Sequence, residues 1–289
     1  MKVLLTIPHV FAPQEGSLYS SQTEAKRAVK QLALRRATLE NLDRHGKRHW
    51  IHASLGLAKP VVTREQASAM GVDLTIQLYT PPEASLAQDL IGQHPQLEIL
   101  APPFDNYTQI PAFASRRALE QAAEYDLVGY IEDDLLIEDP EFFAKILMLV
   151  DLAGTQYAFL PHRCEQIPGR GDVILSGDPD GGRPDLFWDT RECIEAAWPL
   201  GPKQFYRATN PHSGCYFLSS SQAQQVLQHW QQRNWCSEFQ LSGPLEQAGS
   251  GMLLPVLKVM KPTPNHYRFL MVRHLDDLWR RHAFEPQSP

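Results

Sequence analysis

Short apolar runs alternate along this chain with stretches in which apolar residues return at helical spacing. Lys2 to Ile7 is one such run, stopped by Pro8, which is the pattern of a buried strand. A loop from Pro8 to Ser21 follows. From about Gln22 to Arg44, Ala25, Val29, Leu32, Leu39 and Leu42 recur near helical spacing with Lys and Arg between them, and Gly46 stands where a helix stop belongs. The same patterning predicts strands over His49 to Ser54 and Asp73 to Tyr79, the latter ended by Pro81-Pro82. A helix over Glu83 to Gly92 and a short strand over Leu97 to Leu100 come next.

The following stretch carries most of the information. Ala112 to Tyr125 is alanine-rich and helical in character. Asp126 to Ile131 is an apolar strand, and Glu132-Asp133-Asp134 stands at its end. Pro140 opens a helix to about Leu152, with Asp139 as its N-cap. Strands alternating with helices predict an α/β fold with a mixed, mostly parallel sheet flanked by helices. Ligands of such sheets gather at the carboxyl ends of the strands, where the three acids fall.

Beyond residue 155 the pattern loosens. Gly, Pro and Asp crowd Ile167 to Pro184, a long loop or hairpin. Ser213 to Ser219 and Leu253 to Met260 read as strands, Gln222 to Arg233 as a helix, and Glu285 to Pro289 as a disordered tail. No repeat or linker divides the chain, so residues 1–284 read as one domain.

Composition narrows the function classes. With 27 basic and 33 acidic residues and a net charge of −6, the chain lacks the basic stripe that bulk nucleic-acid binding needs. Cys164, Cys193, Cys215 and Cys236 show no CxxC spacing, which argues against a zinc or thioredoxin-like motif and fits reduced thiols. No apolar stretch approaches the roughly 18 to 20 residues needed to cross a bilayer, so a cytoplasmic location is expected.

Three adjacent carboxylates repel one another, and burial raises their pKa values further. A hard divalent cation, Mg²⁺ or Mn²⁺, relieves that cost and commonly binds substrate phosphates as well. The plain alternative is a solvated acidic loop capping the next helix.

The order of these pieces resembles the glycosyltransferases of the GT-A fold. It runs Ser115-Arg116-Arg117-Ala118-Leu119, Ala122-Ala123-Glu124-Tyr125-Asp126, then Tyr130-Ile131-Glu132-Asp133-Asp134, in the place of a DxD-type motif. The resemblance implies a metal-dependent enzyme that moves a sugar from a nucleotide-sugar donor to a saccharide or other hydroxyl acceptor. It implies a nucleotide-binding half over about residues 1–135 and an acceptor-binding half over about 136–284. The loop Ile7-Pro8-His9-Val10-Phe11 would hold the nucleotide base, with Pro8 and His9 as candidates. Asp134 would be the direct metal ligand, Glu132 would face the ribose or share the metal, and Asp133 would join the donor site. The Glu at the first position departs from the usual pattern and leaves the division of roles among the three open.

Supporting residues each carry an ordinary reading beside the functional one. Arg116 or Arg117 would clamp the donor diphosphate, or both are a surface helical pair. Asp105 would bond the base or sugar, or simply forms a turn with Asn106. By the resemblance, Glu246 would be the acid that deprotonates the acceptor, with Glu238 the runner-up; a first-turn glutamate is the alternative. His266 and His274 are the choices for a late histidine ligand. The loop Asn210 to Tyr216 and the tryptophans 188, 198, 230 and 235 are candidate sugar contacts, or core. Two other functions fit the same architecture: a sugar-phosphate nucleotidyltransferase, disfavoured because residues 8–21 hold only Gly16, and a non-catalytic nucleotide-sugar-binding protein.

Overall fold

In the computed structural model the described residues are 1–13, 23–49, 69–167, 169, 171–174, 192–208, 210–231, 233 and 243–275. Strand β1 (Lys2–Pro8) is buried at every residue after Lys2, so it can only be a central strand. After it come helix α1 (Arg27–Arg35), a π-helical turn (Arg36–Glu40) and helix α2 (Asn41–His45). Strands β2 (Arg48–His49) and β3 (Ala69–Met70) pair antiparallel. Strands β4 (Asp73–Tyr79) and β5 (Leu97–Leu100), helix α3 (Ile110–Glu120) and strand β6 (Leu127–Ile131) follow.

Strands β6, β1, β4 and β5 lie side by side in that order in one sheet and run parallel. Strand β13 (Cys215–Ser219) pairs antiparallel with β6 and closes the other edge. The chain therefore builds to one side of β1 through β4 and β5, then returns through α3 to place β6 on the other side. That reversal is a topological switch point, and it opens a crevice outside the carboxyl ends of β1 and β6.

Each face of the sheet has its own core. Val3, Leu5 and Ile7 pack with Leu34, Leu42, Phe142, Phe143 and Phe217, which come from α1, α2, helix α4 (Phe142–Ala153) and β13. Leu4, Val128 and Tyr130 pack with Ala114, Ala118, Val226 and Trp230, from α3 and helix α5 (Ser220–Trp230). The capping box of Ser219 and Gln222 satisfies the first turn of α5. Each fully buried Leu, Ile or Phe contributes about 1.5–3 kcal/mol of burial. Mixed α/β with a mostly parallel, helix-flanked central sheet is thus the observed class.

The second half of the chain carries two smaller sheets. One has the order β10-β9-β15-β7, from β7 (Leu135–Leu136), β9 (His162–Ile167), β10 (Gly171–Ile174) and β15 (Met271–His274). The other has the order β11-β12-β14-β8, from β8 (Tyr157–Phe159), β11 (Cys193–Ala196), β12 (Lys203–Arg207) and β14 (Lys258–Pro262).

Two expected elements differ. Residues 83–92 are not a helix but two 3₁₀ turns, Pro82–Ala84 and Gln88–Leu90. Between them the Ser85 hydroxyl accepts from the Ala87 N–H at 3.0 Å, a local bond that competes with helix. The last strands lie later than expected. Residues 252–257 form turns, with Leu257 N–H donating to the Leu253 carbonyl, and pairing starts only at Lys258. The expected strand residues 50–54, Glu238, Trp188, Trp235 and the tail 285–289 lie outside the described residues.

Candidate functional site

Backbone pairing at the switch point assembles the site. Cys215 lies opposite Ile131, so Gly214 faces Glu132, and Glu132 N–H donates to the Gly214 carbonyl at 2.9 Å. Gly214 has φ +65°, and a Cβ there would stand 2.8 Å from Glu132 Oε2. Both conditions call for glycine. On the far side of the acids, the Asn41 side chain donates to the Leu135 carbonyl at 3.3 Å and accepts from Ile137 N–H at 3.0 Å. Leu275 N–H donates to the Asp134 carbonyl at 2.8 Å. The triplet is therefore held from three directions rather than projecting as a loose loop.

Asp133 faces the first half of the chain. His9 Nδ1 lies 2.5 Å from Asp133 Oδ2, and Leu86 N–H donates to His9 Nε2 at 3.0 Å. A ring nitrogen that accepts carries no proton, so Nδ1 holds the hydrogen and donates it to the carboxylate. His9 is thus fixed in orientation and itself fixes Asp133. Lys30, on α1, places its Nζ 3.3 Å from Asp134 Oδ2.

Asp134 also faces the second half. Antiparallel pairing of β15 with β7 sets His274 opposite Leu135, and parallel pairing with β9 sets Arg273 opposite Cys164. The result is a row of Asp134, His274 and Glu165. His274 Nδ1 lies 2.7 Å from Glu165 Oε1, while its Nε2 lies 3.6 Å from Asp134 Oδ2. With Glu165 against its Nδ1, the ring is oriented so that Nε2 faces Asp134. Carboxylate-backed histidines of this kind are a frequent arrangement around metals.

Glu132 is strongly perturbed. Its side chain is 8% exposed, beside Arg163 Nη1 at 3.3 Å and His212 Nε2 at 3.7 Å, and its Oε1 has no hydrogen-bond partner. Burial pushes its carboxyl up to about 8; Arg163 opposes the rise, and Asp134, Glu246 and Asp133 add to it. The buried Tyr130 hydroxyl, two residues earlier, also lacks a partner and feels the charges of Glu132, Asp133 and Glu246. Lys261, on β14, is buried, donates to the His212 carbonyl at 2.6 Å and is pushed down to about 7 by burial and then by Arg163.

No protein-family model matches the chain, and no curated protein matches it in sequence. Among solved structures, S. aureus TarS 1–349 superposes with TM-score 0.46 and 10% identity, over 90% of this chain and 58% of that one. TarS 1–349 in complex with UDP-GlcNAc gives TM-score 0.43 and 12% identity, over 90% and 56%. GalNAc-T7 with UDP, GalNAc and Mn²⁺ gives TM-score 0.48 and 9% identity, over 94% and 43%. The chain thus spans about half the length of these proteins, and at such scores the function has to be argued from the site itself.

The remaining candidates divide by place. Glu246, at the end of helix α6 (Pro244–Glu246), lies close enough to raise both Glu132 and Tyr130. Arg116 and Arg117 both pair with Glu120 on their own helix, and Arg117 also bonds Tyr79. Asp105 is exposed in the turn before α3, where its charge acts on Tyr107. His266 accepts from Gln204 N–H at 3.3 Å and lies 3.2 Å from the Thr263 hydroxyl. His274, not His266, is the late histidine that meets the acids. Lys30, Arg163, Glu165 and Lys261 lack a local signal, because only tertiary packing brings them towards the triplet, while His212 lies in the loop Asn210 to Tyr216 already singled out in the sequence.

Among the described residues no group of three His, Cys, Asp or Glu side chains converges tightly enough to hold a metal alone. Asp134 and His274 offer two ligands, which suits a cation that completes its shell with water and substrate phosphate. No helix among the described residues is long and apolar enough to cross a membrane.

Proposed function

We propose that the chain is a glycosyltransferase of the GT-A type, moving a sugar from a nucleotide-sugar to a hydroxyl acceptor. The supporting observation is the row Asp134–His274–Glu165 beside Asp133 and Glu132, at the switch point of a parallel sheet. Asp134 and His274 would hold Mn²⁺ or Mg²⁺, with Glu165 keeping the imidazole aimed. Bound there, the cation supplies neutralisation of the charge that develops on the departing diphosphate. Asp133, held by His9, faces the half that would carry the nucleoside. Lys30 adds a further positive charge for phosphate on that side. Glu246, whose charge reaches Glu132 and Tyr130, would take the proton of the acceptor hydroxyl.

A second reading keeps the transferase without the metal. It rests on Lys30, whose ammonium already stands 3.3 Å from Asp134 Oδ2 as counter-charge. Hydrolysis of UDP-, GDP- and CMP-sugars, measured with Mn²⁺ and with EDTA, separates the two. Turnover of one donor class that EDTA abolishes supports the metal; EDTA-resistant turnover supports Lys30. Nucleotide binding with no turnover on any donor, given saccharide acceptors, would sink the transferase and leave a binding protein.

A further inference from the structure

Behind Glu132, away from His9 and Lys30, two cations lie close together in the second half of the chain. Arg163, on β9, is 8% exposed and its Nη1 lies 3.3 Å from Glu132 Oε2. Lys261, on β14, is 5% exposed. Its ammonium donates to one carbonyl, that of His212, and among the described residues no carboxylate lies within ion-pair distance of it. A buried ammonium without a counter-charge is costly, and a second cation beside it raises the cost. The imidazole of His212, whose Nε2 lies 3.7 Å from Glu132 Oε1, is buried with Nδ1 unpartnered. Two cations and an unused imidazole nitrogen therefore share one buried spot, and Lys261 has no carboxylate beside it among the described residues.

We propose that Arg163, Lys261 and His212 form a binding site for an oxyanion carried by the acceptor, so that the acceptor is an anionic saccharide bearing a carboxylate or phosphate group. This rests on the transferase reading above. The donor diphosphate is the less suitable occupant. Its expected position lies at Asp133, Asp134 and Lys30, whereas Lys261, on β14, meets the carbonyl of His212, whose ring stands beside Glu132. The oxyanion would accept from the Arg163 guanidinium and the Lys261 ammonium, and charge-assisted bonds of this type are the strong ones. Lys261 is pushed down to about 7, chiefly by burial, so an incoming anion would also draw a proton onto it.

The test is calorimetry on the full chain, with and without saturating UDP and Mn²⁺, titrated with glucose, glucuronic acid and glucose 6-phosphate. At least one charged sugar is expected to bind about tenfold or more tighter than glucose, the size of one charge-assisted contact. Lys261→Met should erase that preference while leaving UDP affinity within about twofold, and Lys261→Arg should retain it. Preference for glucuronic acid over glucose 6-phosphate would mark a carboxylate site, and the reverse a phosphate site. Equal affinity for charged and neutral sugars, or a preference surviving Lys261→Met, overturns the proposal. So does a fall in UDP affinity in that variant, which would assign the cations to the donor. Should Lys261→Met fail to fold, the wild-type sugar comparison and Lys261→Arg still decide. If UDP does not bind at all, the transferase reading fails by itself, and the sugar titrations without UDP judge the anion site separately.

Discussion

Replacing Glu132 by Gln should make the ligand-free protein more stable at neutral pH, although it removes a residue at the heart of the site. The carboxyl is raised from its ordinary 4.5 to about 8, chiefly by burial. In the unfolded chain it is ionised at pH 7, while in the folded chain it is mostly protonated. Folding therefore binds a proton, and this contribution is most favourable below pH 4.5 and is lost as pH rises towards 8. At about 1.36 kcal/mol per unit, holding the acid against ionisation costs up to about 3 kcal/mol at pH 7 and almost nothing at pH 4. Gln keeps the shape and an oxygen for Arg163 without this cost, so a net gain of about 1–3 kcal/mol is expected. Urea unfolding of both proteins from pH 4 to 8 measures it. The gap should be near zero at pH 4 and widen to pH 8, with UDP affinity falling in the variant. A variant less stable than wild type at pH 7, or a gap that does not change with pH, would refute the reasoning. A protein that tolerates such a cost keeps the acid for use rather than for stability.

Other predictions test separate links. Gly214→Ala forces a left-handed residue to carry a Cβ against Glu132 and should cost about 2–4 kcal/mol in urea unfolding; an unchanged midpoint would deny the close approach. His162 is held down to about 3 by burial and then Lys261, with its ring 2.8 Å from the Pro262 carbonyl. Its neutral form therefore stabilises the fold above pH 6.5, and up to about 3 kcal/mol is lost as pH falls to 4. His162→Gln should flatten that acid limb, and an identical pH profile would count against the burial argument. Glu246→Gln should lower turnover by about 10²-fold or more with donor affinity nearly unchanged; full activity in that variant would end its candidacy as base.

Much of the first half was legible because its signals are local. Lys2–Pro8, Asp73–Tyr79, Leu97–Leu100 and Leu127–Ile131 are short apolar runs closed by proline or acids, and the sheet uses them nearly as bounded. The long apolar pattern of residues 22–44 became α1, a π-turn and α2, in which Leu34 and Leu42 are buried while Val29 and Leu32 face outward. The triplet itself was visible as three charges after a buried strand. Its companions were not. Arg163, Glu165 and Lys261 sit in strands of mixed polarity, where a charged residue reads as solvent-facing until pairing shows that it points inward. His274 stood out from the other histidines only once β15 was found between β7 and β9. Arg116 and Arg117 show the opposite case, because a glutamate three or four residues on is a local partner that sequence already supplied.

The central claim is that Asp134 and His274 jointly hold a divalent cation together with a nucleoside diphosphate. Electron paramagnetic resonance of Mn²⁺ titrated into the protein, with and without UDP, addresses it directly. The account predicts tight Mn²⁺ binding that UDP strengthens, lost in Asp134→Ala and weakened about 10–100-fold in Glu165→Gln through the misdirected imidazole. Mn²⁺ binding with the same affinity in wild type and in Asp134→Ala, or no binding at all with UDP present, would contradict it.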